Sequence, residues 1–584
     1  MLMPTFVSGA SRRWAWRTIF LATLLAAPAA HPEVESEDGM DTMLGNYLAG
    51  RLARNDHDTT AAAQFYSRAL AGDPDNELLL EQTFLLVTAS ADWDRALPLA
   101  RDLVKHEPTH RIAQFLLGLE AFKRGAHKEA EEHFSAARQG PIADLASTLA
   151  RAWVHQATGK TDKALATLDS LSDADWAQFY QRYHRALIAD IAGKHDTARV
   201  AFAQAFKKSP STLRVADAYA RHAVNSQNRK LARQALRTHF AKGARHPLME
   251  ALQAEIEEGK TPPLLVTSPS DGLAEVFYGI GDALAGEGGL DMGIIFLQFS
   301  LYTKPDFELA NIALASAYDS AKKFDLELAA FEKVKRDSPL WLNVQIQKAF
   351  ALNSLERVDE AKALLEKIIA EHPKDARPLD ALGNILRSRE RYAEAREYYD
   401  RAIKLIAKPG REHWSLFYAR GVCGERLKDW QAAEADLKKA LELSPDESSV
   451  LNYLGYTWVD QKQNLKAAMD YIRKAVKLKP DDGYYVDSLG WAYYRLGDMK
   501  AAVEHLERAV ELRPDDPVIN DHLGDAYWQV GRRLEAKYQW QQSLTLKPDK
   551  DLVVTVEKKL KVGLTGGETK AANTMLPPEP KVAE

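Results

Sequence analysis

The segment Lys105–His110, KHEPTH, contains residue types that could bind zinc. His106, Glu107 and His110 match the H-E-x-x-H pattern, in which two histidines one helical turn apart bind the ion and the glutamate activates its water. That chemistry requires a continuous helix. Pro108 removes one backbone N–H and clashes with the preceding turn. We therefore expect no zinc site here and ask whether Pro108 belongs to a wider pattern.

Other motifs with catalytic spacing are also weak. Residues 279–289, GIGDALAGEGG, resemble a phosphate-binding loop, but Leu284 stands where a third glycine is required, and close helix packing explains Gly281 better. The single cysteine, Cys423, is expected to be a small buried residue. Walker, nucleophile-elbow and paired-cysteine motifs do not occur in the sequence. We expect a protein that is not an enzyme and uses no cofactor or metal; an active site built from distant residues is the alternative.

Prolines reveal a repeat of about 34 residues. They stand 34 or 35 residues apart near the C-terminus and keep almost the same step near the N-terminus. Pro108 is one of this series, so His106 and His110 flank a junction between two repeats. The series comprises Pro74, Pro108, Pro141, Pro305, Pro339, Pro373, Pro445, Pro480, Pro514 and Pro548.

Within each repeat, apolar residues recur at steps of three and four, which predicts two amphipathic helices. Leu489 and Gly490 mark the first helix of one unit, Gly497 its turn, and Ala502 and Ala509 the second helix. These residues and their period resemble the tetratricopeptide repeat (TPR). The resemblance implies an all-α fold, an α-solenoid of about fourteen helix-turn-helix repeats in two stacked arrays.

Composition divides the chain into six segments. Proline-rich residues 257–272 cannot continue helical stacking, and the last residues are polar. The predicted segments are a signal peptide (1–29), a degenerate N-terminal TPR array (30–256), a Pro-rich linker (257–272), a C-terminal TPR array (273–550), a capping helix (551–562) and a disordered tail (563–584).

The first 29 residues predict export. Three arginines precede the apolar run TIFLATLLAA, and Ala27-Pro28-Ala29 suits a signal peptidase. The route is either the general secretory or the twin-arginine pathway, and the expected location is the periplasm. No cysteine follows the apolar run, so we expect no lipid anchor, and no later run is long enough to span a membrane.

Charge gives no reason to expect nucleic acid as a partner. The 584 residues carry a formal charge of −5, which becomes −8 once residues 1–29 are removed. Acidic and basic residues are interpreted as mixed along the helices rather than segregated.

The TPR resemblance also implies a binding groove. In this family, positions 2, 5, 9, 12 and 13 of each unit line the inner face of the solenoid, where aromatic side chains facing solvent suit an extended peptide or a helix. The alternative is that some of these rings pack against the neighbouring repeat. The positions hold Tyr278, Asp282, Asn384, Tyr418, Asn452, Tyr456, Tyr484, Asp487, Trp491, Tyr494, Arg495, Asp521, Asp525 and Trp528.

Position 5 decides which ligands suit the groove. TPR domains that bind a C-terminal carboxylate place lysine there, whereas this chain has Asp380, Tyr418, Asn452, Asp487 and Asp521. Because an acidic groove repels carboxylates, we expect basic or neutral segments as ligands.

A finer resemblance concerns residues 451–499, LNYLGYTWVDQKQNLKAAMDYIRKAVKLKPDDGYYVDSLGWAYYRLGDM. They are similar to the TPR adaptor lipoproteins of carboxyl-terminal processing proteases, which implies a scaffold that brings an envelope protease to cell-wall hydrolases. The alternative is a scaffold of an exopolysaccharide or outer-membrane secretion complex. By analogy, the N-terminal repeats are candidates for homo-oligomer formation.

Overall fold

A computed structural model describes residues 42–55, 58–172, 174–243 and 245–564. Over these ranges the chain forms thirty α-helices and one 3₁₀ helix, Arg411–His413, without any β-strand. The predicted all-α fold class is confirmed. The predicted signal peptide, and residues 565–584 of the predicted disordered tail, lie outside the described residues.

The helices are numbered in chain order. Helices α1 to α13 span Met43–Asn55, Thr59–Gly72, Glu77–Ala89, Trp93–His106, Arg111–Lys123, His127–Ala136, Pro141–Ala157, Thr161–Leu168, Asp175–Ile191, His195–Lys208, Leu213–Asn225, Arg229–Ala241 and Pro247–Glu257. Helices α14 to α22 span Pro269–Gly286, Leu290–Thr303, Glu308–Ser320, Phe324–Phe331, Trp341–Ser354, Val358–Glu371, Arg377–Ser388, Tyr392–Leu405 and Trp414–Arg426. Helices α23 to α30 span Trp430–Leu443, Ser448–Asp460, Leu465–Leu478, Gly483–Leu496, Met499–Leu512, Pro517–Gln529, Arg533–Thr545 and Lys550–Val562.

Successive helices form pairs. In the described part of the chain there are fourteen, from α1/α2 to α11/α12 and from α14/α15 to α28/α29, while α13 and α30 have no second helix. The described residues fall into two compact units, one ending at Leu86 and the other beginning at Val87.

The first unit has a small core around Tyr66. This ring packs with Ala62, Ala69 and Leu79, and it lies against Gly50, where a Cβ would come within 3.0 Å of the ring. The opposite side of α1 leaves three leucines, Leu44, Leu48 and Leu52, more than half exposed.

In the second unit, each pair turns through one residue with positive φ. A residue with left-handed backbone conformation ends the first helix. Glycine is favoured at this position because the Cβ atom of any other residue makes the conformation sterically unfavourable. Glycine fills six of these thirteen turns, and charged, amide or alanine residues fill the other seven. The residues are Ala91, Gly125, Gly159, Gly193, Gln227, Gly288, Lys322, Glu356, Glu390, Lys428, Lys462, Gly497 and Gly531.

The Gly of the Leu-Gly pattern lets the two helices of a pair approach closely. At Gly383 a Cβ would lie 2.5 Å from the Tyr399 ring, and at Gly524 it would lie 2.5 Å from the Trp540 ring. The large residue stands sixteen positions after the glycine in both repeats. Close packing therefore accounts for the repeat signature.

The series of turns is interrupted between Gln227 and Gly288, where α13 and residues 258–268 intervene. This connection is tied to α11 and α12 by side chains. Arg229 donates hydrogen bonds to the carbonyls of Gly259 and Lys260 at 2.7 and 2.9 Å, and Asn225 donates to the carbonyl of Pro262 at 2.8 Å. The connection is thus held in place and aims α14 back toward the preceding helices.

Candidate partner-binding groove

The first helices of successive pairs lie side by side and form an inner face, which has two different stretches in the second unit. Along α7 and α9 the face is covered by α14, which packs on both helices, and α15 packs on α5. We call this stretch the filled groove. The stretch formed by α20, α22, α24, α26 and α28 is called the C-terminal groove.

A glycine allows α14 to enter the filled groove. A Cβ at Gly272 would overlap the indole of Trp153, which is fully buried. The same indole donates a hydrogen bond to Nδ1 of His184 at 3.1 Å. Burial lowers the pKa of His184 to about 3, so the imidazole stays neutral and accepts this bond.

An ion pair joins α14 to the helices around it. The Arg214 guanidinium forms a bidentate ion pair with the Glu275 carboxylate, in which Nε lies 3.2 Å from Oε2. The Tyr183 hydroxyl donates a hydrogen bond to the same Oε2 at 3.3 Å. The Glu275 side chain is buried, and the Arg214 side chain is only 13% exposed. Such a pair is costly to break, because removing one partner leaves an unpaired charge in the interior.

Two of the predicted groove residues lie on α14. Tyr278 is half-buried, its ring centroid lies 5.0 Å from that of Phe307, and burial raises the pKa of its hydroxyl. Asp282 is exposed. Burial, together with the Asp282 carboxylate, raises the pKa of Tyr180 on α9 to about 12. These two residues therefore belong to the helix that fills the groove.

The other twelve predicted residues lie on α20 to α28. The expectation that their aromatic rings face solvent is wrong for most of them, because neighbouring first helices bury side chains between them. The buried residues are Tyr418, Asn452, Tyr456, Asp487, Trp491, Tyr494, Asp521 and Asp525. The half-buried residues are Asn384, Tyr484, Arg495 and Trp528.

Trp491 lies at the centre of a stack of rings. Its centroid lies 4.7 Å from that of Tyr494 and 4.0 Å from that of His522, with nearly parallel planes. Nδ1 of His522 lies 2.9 Å from an Asp487 oxygen. Burial alone would lower the pKa of His522, but Asp487 outweighs it and raises the pKa.

The last repeat binds a lysine from the same chain. Nζ of Lys559, on α30, lies 2.7 Å from Asp521 and 2.8 Å from Asp525, and all three side chains are buried. Burial disfavours the ammonium, but the two carboxylates raise the pKa of Lys559 above its usual range. Trp540 donates to the second carboxylate at 3.0 Å. The inner face at α28 thus binds a cationic side chain.

At α20 the corresponding carboxylate has no such partner. Asp380 accepts a hydrogen bond from Nδ2 of Asn384 at 3.2 Å, and Tyr399 donates to Oδ1 of Asn384 at 2.9 Å. Among the described residues, no lysine, arginine or histidine lies within 4.0 Å of Asp380. Burial raises the pKa of Asp380 to about 6.

Two polar atoms of the predicted groove residues are unsatisfied within the described part of the chain. They are the Tyr418 hydroxyl and Oδ1 of Asn452, both buried. Nδ2 of Asn452 does have a partner, since it donates to Ser488 at 3.1 Å. Buried polar atoms without partners are rare and mark places where water or a ligand binds.

The half-buried residues near the end of the groove are held by neighbours. Arg495 donates to the Asp460 carboxylate at 2.9 Å, and the Tyr484 ring lies 4.9 Å beneath the Arg513 guanidinium. The Arg533 guanidinium lies 4.8 Å from the Trp528 ring, whose centroid is 5.3 Å from that of Trp540. Trp528 therefore remains partly accessible at the end of the groove.

Sequence reasoning missed three residues of this groove. Asp460, His522 and Lys559 each bind a predicted residue, yet none occupies the positions assigned to the groove. The spacing offered one usable signal: Asp521 and Lys559 are 38 residues apart, so a helix that stacks as the next first helix brings them together. For His522 and Asp460 only the packed structure supplies the contact.

The motifs considered first have structural explanations. Helix α4 ends at His106 and α5 begins at Arg111, so H-E-x-x-H spans a connection, and His110 caps α5 by accepting from the N–H of Ala113 at 3.2 Å. Gly281 lies inside α14, where a Cβ would be 2.8 Å from the backbone of Leu297. Cys423 is buried, and burial raises its pKa to about 12.

The described residues lack two features, a cluster of metal ligands and a membrane-spanning helix. They contain no group of three or more His, Cys, Asp or Glu side chains placed to hold a metal ion. In the same ranges, each helix is either too short or too polar to cross a membrane.

Family models match four stretches of the chain. The model described as Tetratricopeptide repeat matches residues 89–143, 351–412 and 425–483, and the model described as TPR repeat matches residues 490–531. The chain therefore contains TPR repeats, and its fold is an all-α solenoid of such repeats. Proteins with these repeats generally mediate protein–protein interactions.

One curated relative is the TPR repeat-containing protein PA4667 of Pseudomonas aeruginosa. It is 28% identical over 164 residues, which cover 27% of this chain and 26% of that protein. The matched region thus spans about a quarter of the relative's length.

Three solved structures are similar in part. YrrB, a TPR protein with an unusual peptide-binding site, is 23% identical over 33% of this chain and 97% of its own, with a TM-score of 0.27. The Cut9–Hcn1 hetero-tetramer of the APC/C is 14% identical over 90% of this chain and 96% of its own, with a TM-score of 0.38. MamA from Desulfovibrio magneticus RS-1 is 21% identical over 30% of this chain and 97% of its own, with a TM-score of 0.26.

Proposed function

We propose that this chain is a non-enzymatic scaffold that binds a neutral or basic protein segment in the C-terminal groove. The observation that carries the proposal is the difference between two equivalent carboxylates. Asp521 and Asp380 both occupy position 5 of their repeats. Asp521 binds Lys559 of the same chain, whereas no cation of the described residues forms an ion pair with Asp380.

The surroundings of Asp380 fit an external ligand. The Tyr418 hydroxyl and Oδ1 of Asn452 follow on the next two first helices, and each lacks a partner within the described ranges. A peptide that places a lysine or arginine at Asp380 and backbone groups at the other two atoms would satisfy all three. Those hydrogen bonds would offset the free-energy cost of removing water from the three groups when the peptide binds.

We also propose the location and the partner class. The export signal expected in residues 1–29 supports a periplasmic location. The resemblance of residues 451–499 to TPR adaptors of carboxyl-terminal processing proteases supports an envelope protease and its cell-wall hydrolase substrates as partners. An adaptor of this kind acts by raising the effective concentration of substrate near the enzyme.

Affinity purification tests this function. The chain from residue 30 onward is used as bait beside a groove variant carrying Asp380→Asn, Asn384→Ala and Trp528→Ala, which are half-buried residues whose replacement spares the core. A matched control replaces an exposed aspartate, amide and aromatic ring elsewhere: Asp481→Asn, Gln463→Ala and Tyr538→Ala. Mass spectrometry identifies the proteins recovered by each bait.

We expect the intact chain and the control to recover the same protease or wall hydrolase and the groove variant to lose it. Equal recovery by all three baits would place the binding surface outside the C-terminal groove. Recovery of an export-complex component instead would replace the protease role with that of a secretion scaffold.

We further propose that two copies associate through the first unit. Leu44, Leu48 and Leu52 form one exposed stripe on α1, and α1 carries Arg51 and Arg54 but no acidic residue. Light scattering should show a dimer that Leu48→Glu converts to a monomer; a monomeric parent chain would refute this.

A further inference from the structure

The second helices α10 and α12 belong to a stretch whose charge differs from that of the chain as a whole. From residue 197 to residue 249 there are eleven lysines and arginines but a single acidic residue, Asp217. The full chain has 77 basic and 82 acidic residues. The expectation of evenly mixed charges is therefore wrong for this stretch.

Some of these cations have structural roles, and the others face outward. Arg214 binds Glu275, Arg221 binds Asp217, and Arg229 holds the connection before α14. Seven exposed cations of α10 and α12 form what we call the basic face: Arg199, Lys207, Lys208, Lys230, Arg233, Arg237 and Lys242.

The repeat itself sets the spacing of the basic face. Arg199 and Arg233 are 34 residues apart and occupy the same place in consecutive repeats, as do Lys208 and Lys242. Along α12, Lys230, Arg233 and Arg237 follow steps of three and four and so share one side of the helix. Their side chains therefore cover both the length of α12 and the neighbouring repeat.

Most of these cations are not neutralised within the protein. Arg199 pairs with Asp196, and Lys208 pairs with Asp175. For Lys207, Lys230, Arg233, Arg237 and Lys242, no carboxylate lies within ion-pair distance in the parts of the chain that the structure describes. An unneutralised cluster of this size attracts an extended anionic surface.

Exposed apolar side chains lie beside the cations. Trp176 is 43% exposed and Val200 is 47% exposed. Nζ of Lys208 lies 2.5 Å from Asp175, which places the neighbouring Trp176 at the edge of the basic face. An indole next to lysines and arginines is the combination that proteins use at a lipid headgroup layer.

We propose that the basic face binds the surface of an anionic phospholipid bilayer. The cations contact headgroup phosphates, and Trp176 enters the headgroup layer, so the chain is held at a membrane without a spanning helix. The proposal depends on α9, α10 and α12 and not on the C-terminal groove. Each lysine or arginine near an anionic bilayer adds to the attraction, which salt weakens.

Vesicle co-sedimentation tests the proposal. The chain from residue 30 onward is used, because the apolar run before it would itself bind lipid. Vesicles contain phosphatidylcholine alone or an equal mixture with phosphatidylglycerol. The test variant is Lys230→Glu with Arg233→Glu and Arg237→Glu; the control, with the same change of charge, is Lys466→Glu with Lys477→Glu and Lys479→Glu, all exposed on or beside α25.

We expect binding to the mixed vesicles only, weakened by salt, unchanged in the control and reduced about tenfold or more in the test variant. Trp176→Ala should weaken binding by a smaller factor, and circular dichroism of each variant checks that the fold is kept. Equal binding by the two triple variants, or equal binding to both kinds of vesicle, would overturn the proposal. So would binding of the basic face to a polyuridine RNA or a glutamate-rich peptide without vesicle binding.

Discussion

The filled groove and the C-terminal groove are built from the same repeat but use their inner faces differently. In the filled groove, α14 covers α7 and α9 and joins them through the buried Arg214–Glu275 pair. In the C-terminal groove, α30 contributes Lys559 to the acidic residues of α28, whereas Asp380 on α20 forms no ion pair in the described residues and feels the Arg387 charge only at longer range. One inner face is therefore covered by a helix of the same chain, and the other retains polar groups that are unsatisfied within the described residues.

The largest expected effect comes from breaking the ion pair of the filled groove. Glu275→Ala removes the nearest partner of Arg214, which keeps only Asp217 at 3.7 Å, and we expect the free energy of unfolding to fall by about 3 kcal/mol. Urea unfolding followed by circular dichroism measures this. Glu511→Ala removes the exposed partner of Arg508 and should cost less than about 1 kcal/mol. Equal losses in the two variants would contradict the assigned role of α14.

Adding a methyl group to α14 is expected to lower the free energy of unfolding by a smaller amount. Gly272→Ala pushes a Cβ into the Trp153 indole, and overpacking of this kind costs about 1–3 kcal/mol. Gly286→Ala is the control on the same helix, because no atom lies within 4 Å of its Cβ position. Thermal unfolding should show a lower midpoint for the first variant only. An unchanged midpoint would mean that α14 does not depend on close contact with Trp153.

The two grooves should respond to pH with opposite signs. The folded-state pKa of His184 is lowered to about 3, so its contribution to stability is lost as pH falls below its unfolded pKa, about 6.5. The pKa of His522 is raised, so its contribution is complete below about pH 6.5 and is lost as pH rises through the folded-state pKa. The difference in stability between the parent chain and His184→Gln should therefore shrink from about pH 7 to about pH 5.

The difference in stability between the parent chain and His522→Gln should instead grow as pH falls from about 7 to about 5. The change should be about 2 kcal/mol for His184→Gln and below about 1 kcal/mol for His522→Gln, measured by thermal unfolding at the two pH values. The groups around His522 are Asp487, Asp521 and Asp525. If both variants changed in the same direction, the contrast between the two histidines would be refuted.

The smallest expected effect concerns partner binding at Asp380. Its pKa is raised to about 6, so it is mostly ionised at about pH 7 and mostly protonated at about pH 5. Capture of a partner that places a cation there should therefore weaken several-fold as pH falls through about 6. Asp380→Asn should remove this dependence in the affinity purification. A parent chain whose capture is independent of pH would argue against a cation at Asp380.

Most of the fold could be predicted from the sequence, because each repeat is local. Proline spacing, Leu-Gly pairs and apolar steps of three and four occur within 34 residues, and they predicted the all-α solenoid. The groove was less predictable. Positions 5 and 9 identified Asp487 and Trp491 as inward-facing, but the burial of Trp491 under His522 depends on the neighbouring repeat.

The sequence by itself determined the helix pairs, since helix periodicity, turns and close Gly contacts are set by nearby residues. Only the tertiary structure decided that α14 fills one stretch of groove, that Lys559 reaches Asp521, and that the cations of α10 and α12 form one surface. These features join residues between about 30 and 120 positions apart. Their positions follow from how successive repeats stack and from the turn of the chain at α13, which no local pattern encodes.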